Sequence, residues 1–191
     1  MNTKTITVIV MFAALAIVLN LSPFKIPAPY APYLIYQIWE IPIVAAFLLY
    51  GARVGFLITV INTLVLIALF PGALPTGPFY NMAAVLSMLL GIGIIKILID
   101  KRFPKNDAIV ALLSSLVSGI ILRTVIMALV NYALLRFPSP IGYSLPEEAI
   151  IASIPLVVVF NASLALYTIF FGYFLAESVK SYVKPVIATG F

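Results

Sequence analysis

The sequence predicts an all-α integral membrane protein of six transmembrane helices, with both termini on the cytoplasmic side. The 191 residues are 64% hydrophobic and only 9% charged, and the mean hydropathy is +1.21. Soluble domains carry about 25% charged residues, so this chain has too few to cover a globule in water. Apolar runs recur along residues 1–191, which we treat as one transmembrane domain. The basic residues are concentrated at one set of helix ends.

Proline- and glycine-rich segments separate the apolar runs, because proline disrupts the interior of a helix. The first helix is expected at residues 5–21. A secretory signal would end at a small-residue cleavage site, whereas this run meets the proline-rich loop 22–36. The second helix, from residue 40 to the turn at 50–51, is short, so it either starts earlier or crosses only part of the bilayer. The remaining helices are expected at residues 54–70, 79–99, 108–135 and 147–178.

The distribution of lysine and arginine predicts the orientation, because cytoplasmic loops of membrane proteins carry an excess of these residues. One set of helix ends holds eight of them, and the opposite loops hold only Lys25 and Arg136. The eight are Lys4, Arg53, Lys96, Lys101, Arg102, Lys105, Lys180 and Lys184. Segment 100–107 is therefore expected in the cytoplasm. The net charge of +5 reflects this topology and does not indicate nucleic-acid binding.

The composition argues against an enzyme and against a metal site. The chain has no cysteine and no histidine, and only Glu147 and Glu148 form an adjacent acidic pair. Neighbouring helix residues point in different directions, and this pair fits a helix N-terminus. No phosphate-binding loop for ATP is present, and Gly91 and Gly93 are expected to pack inside a helix. No internal repeat is visible, which argues against many secondary transporters.

Asparagine side chains within the apolar helices are the best candidates for ligand binding. Polar groups are costly in lipid and usually face the bundle interior or a cavity. By topology, Asn81, Asn131 and Asn161 all fall on the outer side or near mid-membrane, where their amides could meet a neutral, polar, flat ligand. The alternative is that such amides serve as hydrogen bonds between packed helices. Asn20 and Asn62 are the other two asparagines in these helices.

Arg123 is the only basic residue deep within a predicted span, and alone it would be costly there. Three roles are open: pairing with Glu40, bonding to carbonyls of the last helix, or binding a ligand. The outer loop before the second helix is aromatic, which fits either an interfacial belt or a lid that stacks on a planar ligand. Its aromatic residues are Tyr30, Tyr33, Tyr36 and Trp39.

Several short motifs in a fixed order resemble a known family. They are Glu40-Ile41-Pro42, Gly51-x-x-x-Gly55, Asn81, Arg123-Thr124-x-x-Met127-x-x-x-Asn131-Tyr132 and Phe160-Asn161. With the proline-rich outer loop, they make nearly the whole chain similar to the S component of energy-coupling factor (ECF) vitamin transporters. The resemblance is strongest to the riboflavin-specific branch.

The resemblance implies a vitamin-binding subunit of the cell membrane whose pocket opens outward. It implies a scaffold partner, the T component, and two cytoplasmic ATPases, which fits the missing phosphate loop. It implies no cofactor besides riboflavin as the transported ligand. The expected substrate-binding residues are Asn131, Asn161, Asn81, Trp39, Tyr36, Glu40, Thr63 and Arg123. The nearest match to the family's small-residue docking face on the first helix is Ala13, Ala14 and Ala16.

The chain departs from the riboflavin branch at two points. Leu164 stands where that branch has a lysine, and Asn62-Thr63 replaces a Lys-Asn pair. A neutral pocket still suits a neutral vitamin, and it argues against phosphorylated flavins, which would need basic partners. The alternatives are therefore another vitamin, such as a thiamine precursor, pantothenate or a folate, or a stand-alone secondary transporter.

Overall fold

The computed structural model describes residues 3–69, 74–102 and 108–180. Within these residues it contains six helices and one β-hairpin. In chain order they are α1 (Thr3–Leu21), β1 (Ile26–Ala28), β2 (Ala31–Tyr36), α2 (Glu40–Tyr50), α3 (Ala52–Leu69), α4 (Gly77–Arg102), α5 (Ala108–Leu134) and α6 (Glu147–Lys180). The helical class and the approximate helix positions agree with the prediction. Residues 103–107 of the expected cytoplasmic segment, and Lys184, lie outside the described residues.

Five of these helices are long and apolar enough to cross a membrane. The exception is α2, which has 11 residues. At 1.5 Å per residue it is about 16 Å long, roughly half the thickness of a hydrocarbon core. Helix α2 begins at Glu40 and not earlier, because the chain is an extended strand up to Tyr36 and contains prolines before that.

The proline-rich loop between α1 and α2 forms an antiparallel hairpin, which was not predicted from the sequence. Ile26 pairs with Tyr36, and the register shifts between Pro27 and Ala28. Both strands are edges, where proline is tolerated because no ladder hydrogen bond is lost. The hydroxyl groups of Tyr30 and Tyr36 lie 2.6 Å apart. The pKa of Tyr30 is raised above its usual value of 10.0, mainly by desolvation and to a smaller extent by this hydrogen bond.

The short helix α2 lies at the centre of the fold. It contacts α1, α3, α4 and α6, and its residues from Ile43 to Ala46 are completely buried. Gly172 of α6 allows the close approach of the two helices, because a Cβ there would lie 2.7 Å from Cγ1 of Val44. The residues of α2 after Glu40 are apolar on all sides, which suits a helix that its neighbours surround.

The α4–α5 contact also depends on small residues. Ser118 donates a hydrogen bond of 2.7 Å to the carbonyl of Gly91. A Cβ at Gly91 would lie 2.5 Å from the Ser118 carbonyl oxygen. Small residues and hydroxyl bonds of this kind are typical of helix pairs in membranes, so the prediction that Gly91 is a packing residue agrees with the structure.

The first helix places its small residues towards the protein interior. Ala13 and Ala16 are buried in the core, whereas Ala14 is exposed. The exposed face of α1 is otherwise large and apolar, as shown by Val10 and Val18. Two of the three alanines expected to face a scaffold subunit therefore pack within the chain itself, because they let α1 approach its neighbours closely.

Candidate ligand-binding site

A buried ion pair joins α2 to α5. The Arg123 guanidinium donates to both carboxylate oxygens of Glu40, from Nη2 to Oε1 at 3.0 Å and from Nη1 to Oε2. Both side chains are more than nine-tenths buried. Either charge alone would be costly at this depth, and the bidentate geometry offsets that cost. Of the three roles considered for Arg123, the structure thus shows pairing with Glu40.

The same guanidinium fixes an asparagine on α6. Nε of Arg123 donates to Oδ1 of Asn161 at 3.0 Å. Asn161 in turn donates from Nδ2 to the carbonyl of Val157 at 2.9 Å. Because arginine has donors only, this contact determines which end of the Asn161 amide faces it. Glu40, Arg123 and Asn161 therefore form one polar cluster that connects three helices.

This polar cluster lies in the wall of a cavity of about 160 Å³, which is bounded by the hairpin, α2, α4, α5 and α6. Six of the eight residues predicted to bind a ligand line it. They are Trp39, Glu40, Asn81, Arg123, Asn131 and Asn161. The structure thus brings together asparagines from three helices that are far apart in sequence.

The two other predicted residues lie elsewhere. The Tyr36 hydroxyl is 2.6 Å from Oγ of Ser163, and its ring packs on Phe160 with 4.9 Å between centroids. Tyr36 therefore does not line the cavity itself but packs against Phe160, which does. Thr63 is buried within α3 and donates to the Thr59 carbonyl. It is not among the lining residues.

Trp39 and Asn131 differ in how firmly they are held. Trp39 is 3% exposed and belongs to the hydrophobic core, so it forms a fixed part of the wall. Asn131 is half-buried, and its Nδ2 donates to the carbonyl of Met127 at 2.7 Å. Its Oδ1 has no protein partner among the described residues. Asn131 therefore offers an acceptor to a ligand.

Leu164 is buried and lines the cavity at the position where the riboflavin branch has a lysine. The cation in this wall comes instead from Arg123 on α5, and Glu40 neutralises it. The cavity therefore carries no unpaired cation among its described lining residues. This arrangement favours a neutral ligand over an anionic one.

A second depression adjoins the cavity. It has a volume of about 500 Å³, and it shares Tyr80 and Asn81 with the smaller cavity. Tyr80 is held in place by its hydroxyl, which donates to the carbonyl of Ile141 at 2.8 Å. Small-molecule sites usually measure about 300–1,000 Å³, so the first cavity alone is small for a vitamin. The depression offers further room next to it.

Gln37, Tyr80 and Phe160 also line the cavity and were not among the predicted binding residues. Phe160 precedes Asn161, so its place in a motif could have suggested it. Tyr80 precedes Asn81 in the same way. Gln37 carries the only amide side chain between α1 and α2, among several aromatic residues, and this could have suggested it.

No protein-family model and no curated protein sequence matches this chain significantly. Among solved structures, the chain is similar to the S component of a bacterial ECF transporter, with a TM-score of 0.74 and 23% sequence identity. The similarity covers 95% of this chain and 98% of that one. The chain therefore has the fold of an ECF transporter S component, which confirms the predicted resemblance at the level of the fold.

Proposed function

We propose that this protein is the substrate-binding membrane subunit of an ECF-type importer and that it binds riboflavin or a close flavin. One observation supports this most strongly: Asn81, Asn131 and Asn161, from three different helices, line one cavity together with Trp39. Amides and aromatic surfaces around one cavity suit a flat ligand with hydrogen-bonding edges.

The charge state of the smaller cavity supports a neutral ligand. Arg123 is already paired with Glu40, so an added anion would have to displace a buried carboxylate. Riboflavin is neutral, whereas its phosphorylated forms are not. The flavin ring supplies a planar face, and its imide edge and hydroxylated chain supply donors and acceptors.

The proposed assembly rests on the S-component fold and agrees with the sequence. No phosphate-binding loop for ATP is present in the sequence. In the proposed ECF-type importer, the scaffold T component and two cytoplasmic ATPases would supply the energy for import, and the complex would lie in the cell membrane.

The single tryptophan makes a direct test available. Trp39 is the only tryptophan in the chain, and it lines the cavity. Titration of the purified protein with riboflavin should quench its fluorescence in a saturable way, because flavins absorb where tryptophan emits. Competition with a thiamine precursor, pantothenate and a folate serves as the control. Displacement of riboflavin by one of these at lower concentration would move the assignment to that vitamin.

Reconstitution separates the proposal from a stand-alone transporter. Liposomes that contain this chain alone should bind riboflavin without accumulating it. Accumulation driven by an ion gradient, without partner subunits, would replace the proposal with a secondary transporter.

A further inference from the structure

We propose that Gln37 binds the ligand through its side-chain carbonyl oxygen and selects ligands that place a hydrogen-bond donor there. This inference rests on the proposed function and adds to it a specificity residue in the outer loop. It also assigns a polarity to this point of the site, namely that Oε1 of Gln37 accepts a hydrogen bond from the ligand.

The backbone holds Gln37 in a defined place. It directly follows β2, and its own carbonyl accepts a hydrogen bond of 2.5 Å from the Tyr167 hydroxyl of α6. Two residues later the chain is anchored by Trp39 and Glu40, which are both 3% exposed. The side chain that leaves this fixed backbone lines the cavity.

Oε1 of Gln37 is shielded from solvent and has no hydrogen-bond partner among the described residues. The great majority of buried polar atoms in proteins are paired, so an unpaired one calls for a physical reason. The Gln37 side chain borders a cavity that can hold a ligand, and this explains the missing partner. A donor on the ligand would satisfy this atom.

The other polar groups of the cavity indicate which kind of ligand group fits. The Arg123 guanidinium is engaged by Glu40 and Asn161. Nδ2 of Asn131 is engaged by a backbone carbonyl. The oxygens of Gln37 and Asn131 remain available as acceptors, and the exposed amide of Asn81 offers both a donor and an acceptor. At the shielded Oε1 of Gln37, a hydroxyl or N–H group of the ligand fits and a bare carbonyl group does not.

A matched control exists within the same chain. Oγ1 of Thr168 is likewise buried and unpaired among the described residues. Thr168 is completely buried in α6 and is not among the cavity-lining residues. Removal of this atom should have no effect on the ligand, whereas removal of the Gln37 amide should.

The first experiment compares riboflavin binding by the full-length wild type, Gln37→Met and Thr168→Val, using Trp39 fluorescence. Gln37→Met should raise Kd about tenfold, the usual effect of one lost hydrogen bond. Thr168→Val should leave Kd within about twofold of the wild type. Both variants should retain the thermal stability of the wild type without ligand, because each removes a polar atom that has no partner.

Two riboflavin analogues then identify the donor and separate binding from folding. One is methylated on the imide nitrogen, and the other, lumiflavin, lacks the hydroxylated chain. One of these analogues lacks the donor that bonds to Oε1 of Gln37. For that analogue, Gln37→Met and the wild type should have the same Kd. If Gln37→Met raised the Kd for both analogues as much as it raises the Kd for riboflavin, the inference would be overturned, since Gln37 would then act through the fold.

The outcomes for the inference and for the proposed function are distinct. Wild-type protein that binds riboflavin, with Gln37→Met binding equally tightly, would overturn only the role of Gln37. Wild-type protein that binds no riboflavin would overturn the proposed substrate and this inference with it. Both would be supported by a tenfold higher Kd for riboflavin in Gln37→Met, an unchanged Kd in Thr168→Val, and one analogue whose Kd is the same for wild type and Gln37→Met.

Discussion

Arg123 and Glu40 form a bidentate ion pair that is almost completely buried between α5 and α2. The pair does more than neutralise two charges, because the third donor of the same guanidinium orients the Asn161 amide. The polar wall of the cavity thus depends on two residues that are 83 positions apart in sequence. Their packing and their contribution to the site can be tested separately.

Single substitutions in this pair should strongly destabilise the protein. Glu40→Gln leaves the Arg123 charge without its partner, and we expect a loss of about 3–5 kcal/mol in the free energy of unfolding. The control is Lys180→Ala, which breaks an exposed pair with Glu177 and should cost less than about 1 kcal/mol. Thermal unfolding in detergent, followed by circular dichroism, compares the two. Equal effects would show that the buried pair is not important for stability.

Replacement of both charges should separate stability from binding. The variant Glu40→Leu with Arg123→Met removes the pair together, so stability should return close to that of the wild type. Riboflavin affinity should nevertheless fall about tenfold or more, because Oδ1 of Asn161 loses the donor that orients it. Isothermal titration gives the affinity. Unchanged affinity in a stable double variant would contradict the positioning role of Arg123.

Replacing the asparagines that line the cavity should weaken riboflavin binding more than replacing an asparagine elsewhere. Asn131→Ala and Asn161→Ala should each raise the Kd for riboflavin about tenfold or more. Asn62→Ala is the matched control, because Asn62 is also buried in a helix but does not line the cavity. Its Kd should remain within about twofold of the wild type. The site assignment would fail if Asn62→Ala weakened binding as much as the other two.

The contact between α4 and α5 should tolerate no added side chain at Gly91. Gly91→Ala would place a methyl group against the Ser118 carbonyl, so we expect a loss of about 1–3 kcal/mol. Gly77→Ala is the control, since a Cβ there meets no atom within 4 Å. Thermal unfolding of the two variants tests this packing. A Gly91→Ala variant as stable as Gly77→Ala would mean that the helices are further apart than described.

The orientation in the membrane can be measured with single cysteines, because the chain has none. An impermeant maleimide added outside intact cells should label Ser139→Cys and should not label Lys105→Cys. The physical basis is the excess of basic residues on the side of Lys105. Labelling after permeabilisation confirms that both cysteines can react. The reverse pattern would place the cavity on the cytoplasmic side.

The helices could be predicted because each requires only a long apolar run, which is visible locally. The short α2 could also be predicted, since Glu40 and the turn at Gly51 mark its ends. The hairpin could not, because its prolines argue against regular structure and its pairing depends on the helix beneath it. Tyr36, for example, is held by Ser163 of α6.

The site could be predicted in part for a similar reason. The costs of polar groups in lipid singled out Asn131, Asn161 and Arg123 without any knowledge of packing. Which of these groups would remain free for a ligand was not predictable. That depends on partners such as the Arg123 bond to Asn161, and on the position of Gln37 against the cavity.

The most direct test of the central claim is the flavin content of the purified protein. Protein purified from the membranes of cells grown with riboflavin should carry the flavin absorbance band at a roughly equimolar ratio, with the flavin fluorescence quenched. Protein with Asn131→Ala and Asn161→Ala together should carry much less. Wild-type protein that is purified without flavin, and that binds none when riboflavin is added at micromolar concentration, would contradict the account.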